Sequence, residues 1–526
     1  MASLDKMESK SSTTAEKPTE WIPTRYVLTF LTFWSLCLLY THRVVLNLAI
    51  VAMVNLTALE SHEVNTTLSD ECPDTLAYEN TTYRYREGYF MWSPSVQGII
   101  LGAYYYGFIT TQLLGGWLTD MIGAKRIFAG SLLLSSLTVL ATPFGANMGI
   151  PVITSLRVMT GLSQGISYTA MYTLFARWAP VQERGTLVSI CISGNQVGTV
   201  LSTVITGYLC EYGFAGGWPS AFYVFGAAGC IVVVLLVIFV YECPADHPKI
   251  SMKELVYIQQ NLPNISPEKK KRPIPWAKIL TSPAVWAVAI AKFSWAWGFY
   301  TLLTKLPAYL ESVLHFPIQK NGFISAIVYA SESLTLALSG WLSDYLRKKQ
   351  VLPITTIRKV FELIGLMGPA ACLIIIPLVK CNSMMVIVLL ILSLGFLGFI
   401  GGGDMPIVVD IAPDYAGTLF GVCNGFACIT GFLAPLVAGL FLEKGQGSMA
   451  QWSLVFYTAS GFYLIGIVAF LFMGSSDLES WAVGATEKTE KETRKELMTL
   501  EADRKLSFEV EKGGIKYSIS VVETPN

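Results

Sequence analysis

Charge is what this chain has least of. Of its 526 residues only 14% are Asp, Glu, Lys or Arg, where a soluble domain carries about 25%. The 37 basic and 37 acidic residues cancel to a net charge of +0, so nothing supports nucleic-acid binding electrostatically. Histidine is scarcer still, at 4 residues. The 10 cysteines form no CxxC pair and no Cys/His cluster with metal spacing, which excludes the ordinary zinc and redox sites. Most of them fall in apolar runs and read as small core residues. No nucleophile–base pair or metal motif lies at membrane depth, which argues against an enzyme.

What remains is apolar. Hydrophobic residues make up 53% of the chain and the mean hydropathy is +0.51. The first apolar run, residues 26–53, is too long and too late for a signal-peptide core and reads as a membrane span. Further runs follow near 94–114, 127–146, 151–175, 187–210 and 220–241, and then near 282–304, 320–342, 358–378, 384–407, 418–440 and 452–473. They predict an all-α membrane protein of twelve helices in two six-helix halves. The expected divisions are a polar tail at 1–24, a first bundle at 25–241, a connector at 242–278, a second bundle at 279–474 and a tail at 475–526. Residues 485–506 read as a solvated amphipathic helix.

The two halves repeat. GGWLTDMIGAKR at 115–126 matches SGWLSDYLRKK at 339–349, so that Gly116 and Asp120 align with Gly340 and Asp344. APVQERGTL at 179–187 matches APDYAGTL at 412–419, in the same order. Duplicated halves with a polar hairpin between apolar spans are the pattern of a secondary transporter. The glycines allow close helix approach. Asp120 can accept from a helix N-terminus or pair with Lys125 or Arg126, a contact that could lock one conformation and break in the other. The gating set is therefore Gly116, Asp120, Lys125, Arg126, Gly340, Asp344 and, within DIAP, Asp410. The plainer alternative is a hairpin that only sets topology.

Lys and Arg collect at 125–126, 177–184, the connector and 347–359, and few lie in the opposite loops, so both tails read as cytoplasmic. The loop at 54–91 holds seven acids and three glycosylation sequons, at Asn55, Asn65 and Asn80, and reads as outside or luminal. The sequon at Asn264 falls in the cytoplasmic connector and reads as chance.

Charges inside spans are costly and so point to function. Arg43 lies about 15 Å and Arg157 about 9 Å below the outer surface, at 1.5 Å per helical residue, and the two could form one anion site. Glu332, midway along the eighth span, is the candidate for proton or cation coupling and a weak candidate partner for the arginines. Lys292 and Lys305 read as snorkelling to the two surfaces. Asp404 follows three glycines, where a helix could unwind. Of the aromatic clusters Tyr104–Tyr106 and Trp295–Tyr300, not all can face inward; Tyr105, Trp295 and Tyr300 are the candidates for lining a substrate cavity.

Several stretches carry a resemblance. LLYTHRVVLNLAIVAMVN, GAYYYGFITTQLLGGWLTD, RVMTGLSQGISYTAMYTLFARWAPVQERGTL, WGFYTLLTKLPAYL and DIAPDYAGTLFGVCNG resemble the sodium–phosphate cotransporter, sialin and vesicular glutamate transporter family of the major facilitator superfamily. The resemblance implies a central cavity between two bundles and transport of inorganic or organic anions, with arginines at the positions of Arg43 and Arg157 serving substrate or coupling. It also shows departures. Gln164 stands where sialin and the glutamate carriers have a glutamate, Leu101 where the glutamate carriers have a histidine, and Trp295 where they have an arginine. Ile407 and Val408 replace an Asn-His pair, and Val45 an asparagine. An amide cannot titrate, so Gln164 tilts the expectation towards the sodium–phosphate branch and sodium coupling. The resulting expectation is a monomeric symporter of a small anion in the lipid bilayer, with co-transported Na+ or H+ as its only cofactor. A proton-coupled lysosomal or vesicular carrier of acidic sugars or amino acids is the alternative, and a transporter-like receptor without flux is the rival of another class.

Overall fold

The computed structural model describes residues 23–55, 88–261, 275–379, 382–412, 415–443, 448–479, 481, 509–512 and 515–518. The side-chain surroundings of a few of these, Gly116 and Asp120 among them, lie outside the description, as do Asn65, Asn80, Asn264 and the helix expected at 485–506. In the first half the helices are α1 (Thr24–Met53), α2 (Pro94–Ile122), α3 (Ala124–Met148), α4 (Ile150–Gly165), α5 (Ser167–Trp178), α6 (Val181–Tyr212) and α7 (Trp218–Phe239). The connector contributes α8 (Met252–Asn261) and α9 (Trp276–Thr281). The second half holds α10 (Pro283–Ser312), α11 (Ile318–Lys348), α12 (Ile354–Val379), α13 (Ser383–Leu397), α14 (Asp404–Ile411), α15 (Ala416–Cys428), α16 (Thr430–Glu443) and α17 (Met449–Met473). The tail carries an antiparallel hairpin, β1 (Glu509–Lys512) and β2 (Ile515–Ser518).

Among the described residues nine segments are long and apolar enough to cross a bilayer. The segments α2, α4 with α5, and α10 complete the twelve spans. Three spans are interrupted. The fourth breaks at Ile166, between α4 and α5, and the eleventh at Ile429. The tenth passes through a 3-10 turn at Gly398–Gly402 before α14 begins, so it loosens at the glycine run as expected.

Two seams join the bundles: α2 packs on α16, and α6 on α11. Each is the image of the other under the internal repeat. Both seams close at the end that carries Met53 and Pro94. A Cβ on Gly98 would lie 2.5 Å from the Pro435 carbonyl oxygen, and one on Gly439 would lie 2.6 Å from that of Pro94. Only glycine permits that approach of two backbones. Between the seams, α1 meets α10. Pro307 has no N–H to give to the Leu303 carbonyl four residues back, and Asn47 of α1 donates to that carbonyl at 3.0 Å. Lys305 does not snorkel: it is buried at the same level, with Nζ 3.5 Å from the Pro94 carbonyl oxygen.

The opposite halves of the spans behave differently. At mid-depth a single apolar cluster unites Val44, Tyr105 and Phe108 with Tyr300, Leu303 and Ala434. Towards the end where α2 meets α3 the core splits in two, one around Phe128, Leu174 and Trp178, the other around Val285, Ile407 and Leu419. Among the described residues a Cβ added to Gly421 or Gly425 would meet no atom within 4 Å, so α15 faces open space there. The molecule is sealed at the end that carries Met53 and Pro94 and parted at the opposite end.

Candidate functional site

Arg43 sits at mid-depth on α1, inside an aromatic cage. Its guanidinium carbon lies 4.9 Å from the ring centre of Tyr40, 5.2 Å from Tyr104, 5.0 Å from Tyr105 and 5.2 Å from Tyr300. Rings at such distances attract a cation through their quadrupoles without neutralising it. Nη2 donates to the Tyr105 hydroxyl at 2.8 Å, while Nε has no acceptor among the described residues. Tyr40 is absent from the sequence-based candidates, although it stands one helical turn before Arg43 on the same face.

Arg157 of α4 reaches the same place. Its Nη2 donates to the Arg43 carbonyl at 3.1 Å and its Nη1 to that of His42 at 3.4 Å. Its guanidinium lies 5.5 Å from the Tyr104 ring centre. The structure thus brings the two arginines together. Both are buried, at 7% and 4% exposure, and among the described residues neither has a carboxylate partner. Glu332 is buried on α11 but pairs with neither, so the suggested resting ion pair is not present in this conformation.

Gln164 is a structural relay beside the cage. Its Oε1 accepts from the Tyr104 hydroxyl at 2.9 Å and its Nε2 donates to Ser135 at 2.8 Å. Ser135 continues to His42 Nδ1 at 3.0 Å, and His42 Nε2 to the Phe225 carbonyl at 3.1 Å. Trp295 lies apart from the cage. Its ring stacks on Phe299 at 5.1 Å, and five residues at 100° each turn it about 140° from Tyr300 on α10.

The repeated hairpins also differ from expectation. Gly123 turns the chain with φ +101°, leaving the N-terminal N–H groups of α3 free. The Glu242 carboxylate takes two of them, from Ala124 and Lys125, each at 2.9 Å, and pairs with Arg177. Partial burial acts to raise the Glu242 pKa, but those N–H groups and the guanidinium outweigh it and hold the carboxyl below its ordinary value. Lys125 donates to the Val237 carbonyl at 3.1 Å and lies 4.6 Å from the Tyr241 ring centre, and Arg126 is exposed. Lys125 is therefore bound within its own bundle, where helix-end carbonyls and an aromatic face are the nearest complements to its charge.

In the second copy Gly340 has only the Gly401 carbonyl oxygen nearby, at 3.9 Å, and Asp344 is exposed with no ion-pair partner among the described residues. The aspartate that is paired is Asp410, 2.9 Å from Arg358 and 3.9 Å from Arg347. These three belong to one bundle, so the contact ties span ends within that bundle instead of bridging to the other. At the opposite surface Asn55 donates its N–H to the Phe90 carbonyl at 3.0 Å, which staples the two ends of the sequon loop together.

With this geometry in view, the comparisons with known proteins decide the family. The profile of the Major Facilitator Superfamily matches residues 32–435. The chain belongs to that superfamily. Within it, human sialin is 35% identical over 464 residues, covering 87% of this chain and 91% of its own. Sodium-dependent phosphate transport protein 3 of Mus musculus is 32% identical, covering 89% of this chain and 97% of its own. A bacterial homologue of the human lysosomal transporter Spinster, solved inward-facing and occupied, matches the fold at TM-score 0.66. It is 14% identical, over 86% of this chain and 97% of its own. This major facilitator protein is a multi-pass membrane transporter, not an enzyme.

Proposed function

We propose that this transporter moves a small anion, inorganic phosphate or an organic acid, by alternating access, as ion-coupled symport with sodium or protons. The observation that carries the reading is the pair of buried arginines without a carboxylate. Two such charges in a low-dielectric site are strongly unfavourable unless a partner arrives, and a dehydrated anion supplies it. The tyrosine cage suits this role, since it holds the guanidinium of Arg43 in place and leaves its charge available. Tyr105 and Tyr300, from opposite bundles with ring centres 4.9 Å apart, would report occupancy to both. The working unit is a monomer, because both walls of the site come from one chain. Both tails are cytoplasmic by the distribution of Lys and Arg, with the plasma membrane as the setting.

One observation favours the organic-acid alternative in a lysosomal or vesicular membrane: the sialin relatives are 35% identical, and the phosphate transport protein 32%. The deciding experiment is uptake into liposomes holding the purified protein. Labelled phosphate, urate, glutamate and sialic acid are each tested with sodium present or absent and with pH varied. At least one should accumulate, and Arg43→Ala should nearly abolish its uptake in protein that still folds and inserts. Binding without any uptake would support the receptor reading, and transport that survives Arg43→Ala would remove the centre of the proposal.

A further inference from the structure

A second buried charge cluster lies in the C-terminal bundle, and the anion site makes no use of it. Lys292 on α10 places Nζ 3.1 Å from Asp404 Oδ2. Asp404 is the first residue of α14, and its backbone N–H donates to Glu362 Oε2 on α12 at 3.0 Å. The side chains are buried, at 6% exposure for Lys292 and 1% for both Glu362 and Asp404. Glu362 Oε1 and Asp404 Oδ1 have no hydrogen-bond partner among the described residues. Gly403 makes the approach possible: a Cβ there would collide with the Glu362 carboxylate and lie 3.2 Å from its Cα. Lys292 therefore does not snorkel, and Glu362 is a site residue that the sequence reading passed over.

The neighbouring charges are already matched. Arg358 donates to Asp410 at 2.9 Å, to Ser343 at 2.7 Å and to the Gly402 carbonyl at 3.0 Å. Arg347 faces Asp410 at 3.9 Å. Among the described residues Cys423 of α15 is the remaining titratable neighbour, and its thiol is directed to the Val285 carbonyl. One ammonium thus serves two buried carboxylates, in contact with Asp404 and close enough to Glu362 to act on its charge. Two carboxylates sharing such a site do not both ionise, so the cluster requires one further positive equivalent. A metal ion would need a shell of oxygen ligands. The Gly402 carbonyl is already taken by Arg358 and Ser343, and an ammonium already occupies Asp404. A proton needs only the carboxylate pair.

We propose that Glu362 and Asp404 share one exchangeable proton, held beside Lys292, and that this cluster is the proton-coupling site of the carrier. The proposal rests on the reading of the chain as an ion-coupled transporter. The proton passes between water in the cytoplasmic opening and a carboxylate oxygen, with no other bond made or broken. Phe420 covers the cluster, its ring centre 5.6 Å from Lys292 Nζ, and is itself 46% exposed. Tyr300 of the anion cage stands eight residues further along α10, about 12 Å by helical rise. One helix therefore carries a residue of each site.

The test begins with the purified full chain in detergent and needs no substrate. Infrared difference spectra between acid and alkaline pH read the carboxylic-acid carbonyl band. Glu362→Gln and Asp404→Asn each leave one carboxylate for one ammonium, and each should remove a component that Glu332→Gln retains. A band untouched by both substitutions overturns the proposal. Lys292→Met leaves the carboxylates facing each other and should carry the band to higher pH; an unmoved midpoint overturns it too. Loss of the band when sodium replaces choline at constant pH would give the site to sodium instead. In liposomes, uptake of labelled phosphate or sialic acid is compared with and without an inward proton gradient. The gradient should accelerate wild-type uptake and cease to do so in Glu362→Gln and Asp404→Asn; acceleration that survives in both sinks the idea. Wild-type protein that moves neither anion would count against the transport reading alone, because the infrared result still decides the proton site.

Discussion

At the scale of single residues, the most informative position is Gln164. It lies in a chain of hydrogen bonds from Tyr104 to His42, one residue removed from the arginine cage. Gln164→Glu keeps the shape and adds a titratable group, so uptake should acquire or sharpen a dependence on pH between about 4 and 8, the range a buried carboxyl can span. A flat pH profile in that variant would mean that the relay is mechanically separate from transport. Arg43→Lys should restore little of the uptake lost in Arg43→Ala, because an ammonium cannot present the planar fork that contacts both Tyr105 and an anion. The arginines were legible in the sequence because a charge inside an apolar run demands an explanation. Their cage was legible only in part: Tyr105 and Tyr300 stand out in the aromatic clusters, whereas Tyr40 and Tyr104 look like ordinary core residues until the helices are placed. Trp295 shares only a neighbourhood in sequence with Tyr300, and the 100° step of the helix turns it away.

Single helices bring out a different kind of determinant, the ends and breaks. The hairpin after α2 is held by Glu242, whose carboxyl is stabilised in the folded protein and sits below its ordinary pKa. A depressed carboxylate contributes stability above its unfolded pKa and loses it as pH falls through the folded one. Acidification below about 4, the ordinary carboxylate value, should therefore loosen the α2–α3 turn, and Glu242→Gln should do so at neutral pH. Hydrogen exchange at Ala124 and Lys125 is the measure, and unchanged protection in Glu242→Gln would refute the assignment. The hairpin repeat was plain in the sequence, but its partner was not, because Glu242 lies more than a hundred residues away with no periodicity to link them. The outer seam offers a second test. Gly439→Leu cannot fit against Pro94, so it should hold the outer side open and speed labelling of Ser95→Cys by an impermeant maleimide added outside.

For the whole molecule, the fold was legible because bilayer thickness and backbone hydrogen bonding leave few choices. Runs of apolar residues near the length of a membrane span fix the helices, and the duplicated hairpins fix the two halves. What composition could not reveal was which side stands open, since that depends on how glycines at Gly98 and Gly439 meet backbone in the opposite bundle. The topology carries its own test. Glycosidase should shift the mobility of the native protein, and Asn65→Gln with Asn80→Gln together should abolish most of the shift. Glycan mapped to Asn264 would invert the proposed orientation.

The anion site proposed at the arginine pair has a consequence beyond affinity. A carrier with no anion aboard moves its uncompensated positive charges through part of the transmembrane voltage as it turns over, whereas a loaded one moves fewer. Each elementary charge crossing the full field is worth about 2.3 kcal/mol per 100 mV. An inside-negative voltage therefore pulls the empty binding site towards the cytoplasm and resists its return. On that proposal the membrane potential, as much as any ion gradient, would set how long the unloaded protein rests in the form sealed at the Pro94 end.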